Sequence, residues 1–371
     1  MPSAVVVGAG VFGSSVAHRL TLSGWDVTIV ERYTPGHVRA ASGDESRLIR
    51  FAHGGDRWYT RSARRARELW LELEEESGRD LLVECGVAWF ARDGDRWTSD
   101  SEEILRDEGV PVERLAPEDA ADLFPTFDPA GLAYVLYEPE AGILRARDAV
   151  RTIVEQALDD GARLVRGRAR PDGSDVVVEG ERLGADCVLW ACGAWLSTIF
   201  PALVKLRITK QDVYYFGSEA GWETPPVPAW VDYQGAVYGL GDLDGRGVKV
   251  APDREGPEFD PDTDPRVASA EGEAEARRCL TERFPALANA PLIGTRTCQY
   301  ALTADTHFVI APHPEHERVW LLGGGSGHGF KHGPALGEYV VDLLEGRDEA
   351  DSRFGLGERQ PATKLRTAGA A

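Results

Sequence analysis

The hydrophobic pattern at the N-terminus changes period twice before Glu31. Residues 4–7 form a short apolar run, residues 11–23 repeat apolar positions at helical spacing, and residues 27–30 are apolar again. A short apolar run bounded by turn residues is typical of a buried strand. The order therefore predicts a compact β-α-β unit, which is the building block of nucleotide-binding sheets.

The rest of the chain alternates between helical and strand-like periods. Residues 81–136 favour short strands and short helices, and the last fifteen residues, which are polar or small, are expected to fray. Helices are predicted at about residues 57–78, 147–159, 267–283 and 334–346. Strands are predicted at residues 176–178, 187–191, 206–209, 213–216, 236–240, 248–250, 299–302, 308–311 and 319–322.

This order predicts a fold that is α/β plus α+β. A Rossmann-like domain of discontinuous segments would bind the nucleotide, and a mostly antiparallel β-sheet domain inserted between them would bind substrate. The length of 371 residues supports two domains, because single hydrophobic cores stop growing at about 250–300 residues. The first domain is predicted at residues 1–80, 145–204 and 286–371, and the second at residues 81–144 and 205–285.

Composition and charge argue against several classes of function. The net charge of −20 disfavours nucleic acid as a partner, since phosphate backbones are bound by clusters of Lys and Arg. Apolar runs stay shorter than 18 residues and no secretory signal is visible, so neither a membrane span nor export is expected. The five cysteines are scattered without C-x-x-C spacing, which disfavours a disulfide framework and favours a reducing cytoplasm.

A glycine motif follows the first apolar run and opens the first predicted helix. Gly8 permits a tight turn, Gly10 lets the backbone approach a pyrophosphate, and Gly13 allows close packing of helix on strand. The helix N-terminus then favours phosphate groups. Glu31 ends the next strand, where its carboxylate can accept hydrogen bonds from ribose hydroxyls and disfavours NADP. The motif predicts a dinucleotide, but by itself it does not separate FAD from NAD.

Later motifs extend this pattern over nearly the whole chain. They are Gly43-Asp44 with Arg47 and Arg50, Cys192-Gly193-Ala194-Trp195, Gly247-Val248-Lys249 with Asp260-Pro261-Asp262, Thr297-Cys298-Gln299-Tyr300, and Gly327-His328-Gly329-Phe330-Lys331. In this order and spacing, the chain resembles the family of monomeric sarcosine oxidase and N-methyltryptophan oxidase, within the D-amino-acid-oxidase-like flavoproteins.

The resemblance implies a two-domain FAD enzyme that oxidises a secondary or cyclic amine, such as an N-methyl or imino amino acid. A hydride, or its equivalent, would pass from the C–H next to nitrogen to flavin N5. The product would be an imine, and O2 would be reduced to hydrogen peroxide. Alternatives are a flavin-dependent amine dehydrogenase that uses another electron acceptor, for example in a biosynthetic pathway, and a nucleotide-binding protein without redox activity. A monomer is expected.

The same resemblance assigns roles to five charged or polar side chains. Arg50 and Lys331 would bind a substrate carboxylate, for which a guanidinium offers a two-pronged geometry. Lys249 would activate O2, and Arg47 would lie near the flavin ring and favour its anionic reduced form. Tyr238 aligns with an active-site tyrosine, although a core tyrosine fits its position almost as well. Ordinary ion pairs or solvated side chains are the alternatives for the others.

Cys298 matches the family cysteine that is bonded to the flavin 8α-methyl carbon, so the FAD is expected to be covalently attached. The alternative is an ordinary buried thiol, the commonest state of a cysteine. Other cofactor contacts implied by the resemblance come from Gly8, Gly10, Val11, Phe12, Gly13, Glu31, Arg32, Ser42, Arg47, Gly193, Trp195, Gly325, Gly327, His328, Gly329 and Lys331.

Two places depart from the family pattern. Ser42 or Ala41 stands where the family often has a histidine before Gly-Asp, and Asp253 stands where it often has one four residues after Lys249. These changes put sarcosine itself in doubt and favour a bulkier or cyclic amine. No metal site is expected, because the late histidines match no zinc spacing: His307, His313, His316, His328 and His332.

Overall fold

The computed structural model describes residues 1–361, in which strands and helices alternate along most of the chain. The strands are β1 (Ser3–Val7), β2 (Asp26–Glu31), β3 (Ser46–Ile49), β4 (Leu82–Val83), β5 (Val87–Ala91), β6 (Glu113–Leu115), β7 (Tyr134–Glu138), β8 (Gly142–Arg145), β9 (Arg163–Arg166), β10 (Ala169–Asp172), β11 (Asp175–Val178), β12 (Glu181–Leu183), β13 (Cys187–Trp190), β14 (Arg207–Phe216), β15 (Ala229–Asp232), β16 (Val237–Asp242), β17 (Val248–Pro252), β18 (Leu292–Leu302), β19 (Val309–His313) and β20 (His316–Gly323). The α-helices are α1 (Val11–Leu22), α2 (Arg57–Ser77), α3 (Arg96–Asp107), α4 (Ala146–Asp159), α5 (Leu196–Ile199), α6 (Ala270–Arg283) and α7 (Gly333–Leu344).

The first sheet has six strands in the order β19-β20-β13-β1-β2-β9. All neighbouring pairs are parallel except β19 with β20. The chain leaves β1 toward β2 on one side and later returns through β13 on the other. The carboxyl end of β1 is therefore a topological switch point, which is where sheets of this kind bind nucleotides.

Both faces of this sheet are covered. Val6 and Ile29 pack in one core with residues of α1, α4 and α7, while Val5 and Val7 pack in another with Phe200 and the three-stranded sheet β10-β11-β12. Because successive residues of a strand point to opposite faces, a continuous apolar run is what such a doubly covered strand requires.

The turn after β1 depends on two glycines. Gly8 has a φ of +108°, and a Cβ on it would lie 2.5 Å from the carbonyl oxygen of Ala191. A Cβ on Gly13 would lie 1.9 Å from the Gly8 carbonyl oxygen. Glycine at both positions thus lets α1 start directly above the sheet, as the sequence motif predicts.

The second sheet has eight strands in the order β18-β14-β17-β16-β15-β5-β7-β6. Its pairs are antiparallel except β15 with β5. One face packs against α6 through an aromatic core that includes Phe90, Trp230 and Phe284. A further small sheet, β3-β8-β4, carries Arg47 on its edge strand β3. The predicted combination of a Rossmann-like sheet and a mostly antiparallel sheet is confirmed.

Several predicted boundaries are wrong. Strands predicted at 206–209 and 213–216 form the single strand β14, because its polar middle residues hide the continuity of the pattern. Strand β18 begins seven residues before the predicted 299–302, since its first half is only partly buried and lacks an apolar signature. It pairs with β14 in the eight-stranded sheet.

The division into domains stays a prediction. The expectation that the last fifteen residues fray falls mainly on residues 362–371, which lie outside the described residues. Among residues 1–361, no helix combines the length and the apolar character that crossing a membrane requires.

Helix α7 packs on α1 through a glycine contact that can be tested. A Cβ on Gly337 would lie 2.7 Å from the Ser15 carbonyl oxygen, so Gly337→Ala should force the two helices apart. We expect it to lower the free energy of unfolding by about 1–3 kcal/mol, measured by denaturant titration. Gly55→Ala is the matched control, because no atom lies within 4 Å of its added Cβ. Equal stability of the two variants would contradict this packing.

Candidate functional site

A cleft of about 970 Å³ opens at the carboxyl end of β1 and continues between the two large sheets. Its walls come from the first sheet, from the loop that follows β2, and from residues 258–264 and 299–301 beside the second sheet. Most of the predicted cofactor residues line it, namely Gly8, Gly10, Val11, Phe12, Glu31, Arg32, Ser42, Arg47, Gly193, Trp195, Gly325, Gly327 and Gly329.

The end of the cleft nearest α1 is arranged by backbone N–H groups. The N–H of Val11 donates to Ser42 Oγ at 3.1 Å. The N–H groups of Ala9 and Tyr33 donate to the two carboxylate oxygens of Glu31, each at 2.8 Å. These bonds fix the Glu31 carboxylate at the edge of the cleft while leaving each oxygen able to accept another hydrogen bond.

The walls of the cleft fit a large polar cofactor. Trp195 Nε1 and Gln299 Oε1 are buried in this wall and have no hydrogen-bond partner within residues 1–361. Buried polar atoms normally have partners, so a bound group is expected to supply them. A Cβ on Gly329 would lie 2.8 Å from the Phe12 ring, so only glycine keeps this part of the wall open. The donor set and the glycine cradle therefore suit FAD.

Cys298 lies on β18, next to the cleft. Arg47 Nη2 donates to its Sγ at 3.1 Å, and the Sγ lies 3.6 Å from the carbonyl oxygen of Ala41. Both Arg47 and Ala41 line the cleft, whereas the 7% exposed cysteine itself sits just behind them.

A buried carboxylate, Asp44, holds two of the predicted catalytic cations. It forms an ion pair with the Arg47 guanidinium, and it accepts a hydrogen bond from Lys249 Nζ at 3.1 Å. Lys249 is fully buried and also donates to the Oγ and the carbonyl oxygen of Ser46, at 3.0 and 3.1 Å. Asp44 is part of the Gly43-Asp44 motif, but the family resemblance assigned no role to its carboxylate.

The ionisation of this cluster follows from its surroundings. Burial alone would raise the pKa of Asp44, but the charges of Lys249 and Arg47 outweigh it and hold that pKa well below its usual range. Burial lowers the pKa of Lys249, and Arg47 lowers it further, against the opposing effect of Asp44. For Arg47, burial would lower the pKa, but Asp44 and smaller contributions from other neighbouring groups together outweigh burial and raise that pKa.

A second cavity, of about 60 Å³, adjoins the cleft and shares Arg47, Gly327 and Phe330 with it. Two buried cations, Arg50 and Lys331, contribute to its lining. The other residues around it are Leu48, Val231, Tyr238, Asp253 and His328. The cavity is thus a small compartment with a positive wall, opening beside the residues that also face the cleft.

Arg50 is held in place from several sides. Its guanidinium lies over the Trp89 ring, 5.1 Å from the centroid, and donates to the Ala52 carbonyl oxygen. Buried Glu138 accepts from the N–H groups of Phe51 and Ala52 and from Trp89 Nε1, and so fixes the segment that follows Arg50. Glu138 could not be identified from the sequence, because this residue ends a strand far from every motif.

Lys331 approaches the same cavity from the turn before α7. Its Nζ donates to the His328 carbonyl oxygen at 3.0 Å, and its own carbonyl oxygen accepts from Trp70 Nε1. Burial, with a further contribution from Arg50, lowers its pKa well below the ordinary value for lysine. An incoming carboxylate would offset both effects by pairing with the two cations.

The structure does not place every predicted residue at a cavity wall. Gly13 lies beneath the turn that it shapes, and His328 and Lys331 face the small cavity rather than the cleft. Lys249 lies behind the wall, with its Nζ 6.0 Å from the centroid of the Tyr238 ring. Tyr238 itself lines the small cavity.

Comparison with known proteins agrees with this geometry. Residues 3–343 match the model of a family described as DAO, FAD dependent oxidoreductase. The chain belongs to this family. It is an FAD-dependent oxidoreductase, which confirms the family resemblance and selects FAD over NAD.

Its relatives include monomeric sarcosine oxidase of Streptomyces avermitilis, 33% identical over 91% of this chain and 92% of the relative. Monomeric sarcosine oxidase of Bacillus sp. is 30% identical over 94% of this chain and 93% of the relative. N-methyl-L-tryptophan oxidase of Yersinia pestis is 25% identical over 91% and 93%.

Solved structures share the fold. L-proline dehydrogenase from P. horikoshii superimposes with a TM-score of 0.82 at 23% identity, over 94% of each chain. NikD, an amino acid oxidase of nikkomycin biosynthesis, superimposes with a TM-score of 0.79 at 22% identity, over 99% of this chain and all of that one.

The role of Asp44 can be tested through stability. Asp44→Asn leaves Lys249 and Arg47 buried without a full counter-charge, so we expect a loss of about 3–5 kcal/mol in the free energy of unfolding at pH 7. The pKa of Asp44 is depressed in the folded state, so its contribution is present above the unfolded pKa and is lost on acidification. The deficit of the variant should therefore stay constant above about pH 5 and narrow below about pH 4.

The measurement is denaturant unfolding of both proteins across that pH range. Asp262→Asn is the control, because Asp262 pairs with Arg32 in a much more exposed position. A deficit for Asp44→Asn that is no larger than the control's, or that does not depend on pH, would contradict the assignment.

Proposed function

We propose that this protein is an FAD-dependent oxidase of a secondary or cyclic amine that carries a carboxylate, with O2 as the electron acceptor. One observation carries the proposal: the cavity with Arg50 and Lys331 in its wall shares Arg47, Gly327 and Phe330 with the cofactor cleft. A substrate anchored there by its carboxylate would present its amine end toward the cleft.

The relatives support this substrate class. Two of them are named for sarcosine and one for N-methyl-L-tryptophan, which are all N-methyl amino acids. The paired cations of the small cavity match the carboxylate that such molecules share. The presence of Asp253 in its lining favours a substrate that differs from sarcosine in polarity.

When bound, FAD would accept a hydride equivalent from the carbon next to the amine nitrogen and return the electrons to O2. The side chains around it divide the remaining work. Arg50 and Lys331 hold the carboxylate and orient the C–H bond, and the rings of Trp89 and Phe330 exclude water from the charged contact. The imine formed would then hydrolyse in water.

The buried positive charge of Lys249, close to Arg47, suits the reaction with O2. Lys249 is buried within hydrogen-bonding distance of Asp44 and Ser46. A fixed ammonium in such a dry position would stabilise negative charge that develops on O2. Arg47, beside the cleft, would stabilise negative charge on the cofactor ring. Lys249 and Arg47 would perform these two roles, and Asp44 would hold both side chains in position.

We further propose that Cys298 bonds covalently to the cofactor. Its sulfur would replace one hydrogen of the flavin 8α-methyl group, the flavin would take up the two electrons released, and O2 would reoxidise it. The Cys298 Sγ lies beside the cleft-lining Ala41 and Arg47. Cys192 is the competing thiol, since it also lines the cleft, but its Sγ points to the Val7 carbonyl oxygen and burial raises its pKa far above the ordinary value.

The covalent bond is tested by acid precipitation of the purified enzyme. We expect yellow colour to stay with the wild-type and Cys192→Ser proteins and to be released from Cys298→Ser, because serine cannot form the thioether. Peptide mass spectrometry would locate the adduct. Release of all colour from the wild type, or an adduct on Cys192, would contradict the proposal.

Carboxylate binding is tested with Arg50→Met. Loss of a charge-assisted, two-pronged contact should raise KM for an N-methyl amino acid by about 10–100-fold. The matched control is the same amine without its carboxylate, for which wild type and variant should have similar KM. An equal effect on both substrates would show that Arg50 does not recognise the carboxylate, and peroxide release provides the assay.

A further inference from the structure

Three buried histidines meet beside the small cavity. His328 and His332 lie four residues apart around the turn before α7, and His53 comes from the segment between β3 and α2. None of the three is more than 4% exposed. One ring nitrogen of each lies within 4.8 Å of the corresponding nitrogens of the other two. His53 is far from His328 and His332 in the sequence, so spacing along the chain does not reveal this set.

Hydrogen bonds fix the direction of two lone pairs. His53 Nδ1 lies 2.9 Å from the Phe51 carbonyl oxygen, and His328 Nε2 lies 2.9 Å from the Thr306 carbonyl oxygen. A carbonyl only accepts, so these nitrogens carry the protons. The lone pairs then lie on His53 Nε2 and His328 Nδ1. His332 Nδ1 lies 3.0 Å from Ser62 Oγ, to which it can donate.

Two ring nitrogens of these histidines are unsatisfied. His53 Nε2 and His332 Nε2 are buried and have no hydrogen-bond partner among residues 1–361. Such atoms are unfavourable in a protein core unless a ligand satisfies them. Imidazoles that donate one nitrogen to a backbone carbonyl and point the other inward are the usual outer-shell arrangement of metal-binding histidines.

We propose that His53, His328 and His332 bind one borderline divalent metal ion, of which Zn²⁺ is the model, and leave a fourth position open. Zinc–imidazole bonds are about 2.0–2.1 Å long, so the rings would each move inward by less than about 1 Å.

Some of the groups around the three histidines would favour binding of the metal ion, and others would oppose it. Burial, reinforced by Lys331, lowers the pKa of His53 and of His332 well below the ordinary value, so both rings are neutral and ready to ligate. The positive charges of Arg50 and Lys331 weaken cation binding, and buried Glu138 opposes their effect. The aromatic rings of Tyr59 and Phe308, 4.9 and 5.0 Å from that of His328, restrict its movement.

An ion at this place would connect three parts of the chain. His53 follows Arg50, His328 and His332 flank Lys331, and Ser62 of α2 contacts His332. The bound ion would thus fix the relative positions of the segments that supply the two cations of the small cavity. This inference concerns binding and stability, and it does not depend on the proposed oxidase activity.

The test uses the FAD-loaded enzyme after removal of metals with a chelator. Titration with Zn²⁺ should give one bound ion per chain, by calorimetry and by metal analysis after dialysis. His53→Gln and His332→Gln should each weaken binding by at least about 100-fold, since they remove a direct ligand. The control is His313→Gln/His316→Gln, which removes a neighbouring pair of more exposed histidines whose rings are 4.6 Å apart. That variant should bind zinc like the wild type.

Absence of stoichiometric zinc binding by the wild type would overturn the proposal, as would loss of binding in the His313/His316 control alone. If a variant fails to fold, the wild type still decides. Zinc should raise its Tm, because the ion binds only the folded site. X-ray absorption of the bound zinc should show three imidazole ligands. An unchanged Tm or a different ligand set would contradict the site.

Discussion

The buried carboxylate of Asp44 is the contact on which the rest of the site depends. It joins Arg47, on the small sheet, to Lys249, on the eight-stranded sheet, in a region closed to solvent. Burying a single charge of either sign would be strongly unfavourable, whereas the cluster satisfies all three groups through ion pairs and hydrogen bonds. The two sheets can therefore share a charged boundary without filling it with water.

The cleft and the small cavity meet at Arg47 and differ in the groups that line them. On one side, glycine turns and backbone N–H groups at the end of β1 form a surface that suits phosphates and a flat ring system. On the other, Arg50 and Lys331 form an anion-binding wall supported by Glu138 and Trp89. Arg47 faces both compartments, so a substrate and a cofactor bound there would meet at its side chain.

Local rules made the first part of this fold predictable from the sequence. Gly8 and Gly13 stand where a Cβ would collide with backbone, and α2 and α4 occur within a residue or so of their predicted ranges. The strands predicted from the sequence are shorter than β14 and β18, because polar and exposed residues interrupt the apolar pattern of these strands. Pairing with a neighbouring strand, which no local pattern records, supplies the missing part.

The residues of the candidate site also fall into two groups, those that could be identified from the sequence and those that could not. Residues in family motifs, such as Lys249 and Lys331, could be named from the sequence because the resemblance assigned them. Asp44, Glu138 and His53 could not, since their importance comes from contacts with residues far away in the chain. The oxygen, carboxylate and covalent-flavin roles remain proposals, and so do the domain ranges.

The two half-reactions, measured separately by stopped-flow absorbance of the flavin, test this account most directly. Lys249→Met should be reduced by the amine at nearly the wild-type rate without oxygen, while reoxidation by O2 slows by about 10²–10³-fold. Lys331→Met should show the opposite, with weakened reduction and ordinary reoxidation. If Lys249→Met is reoxidised as fast as the wild type, or if both variants impair the same half-reaction, the assigned division between a substrate side and an oxygen side is incorrect.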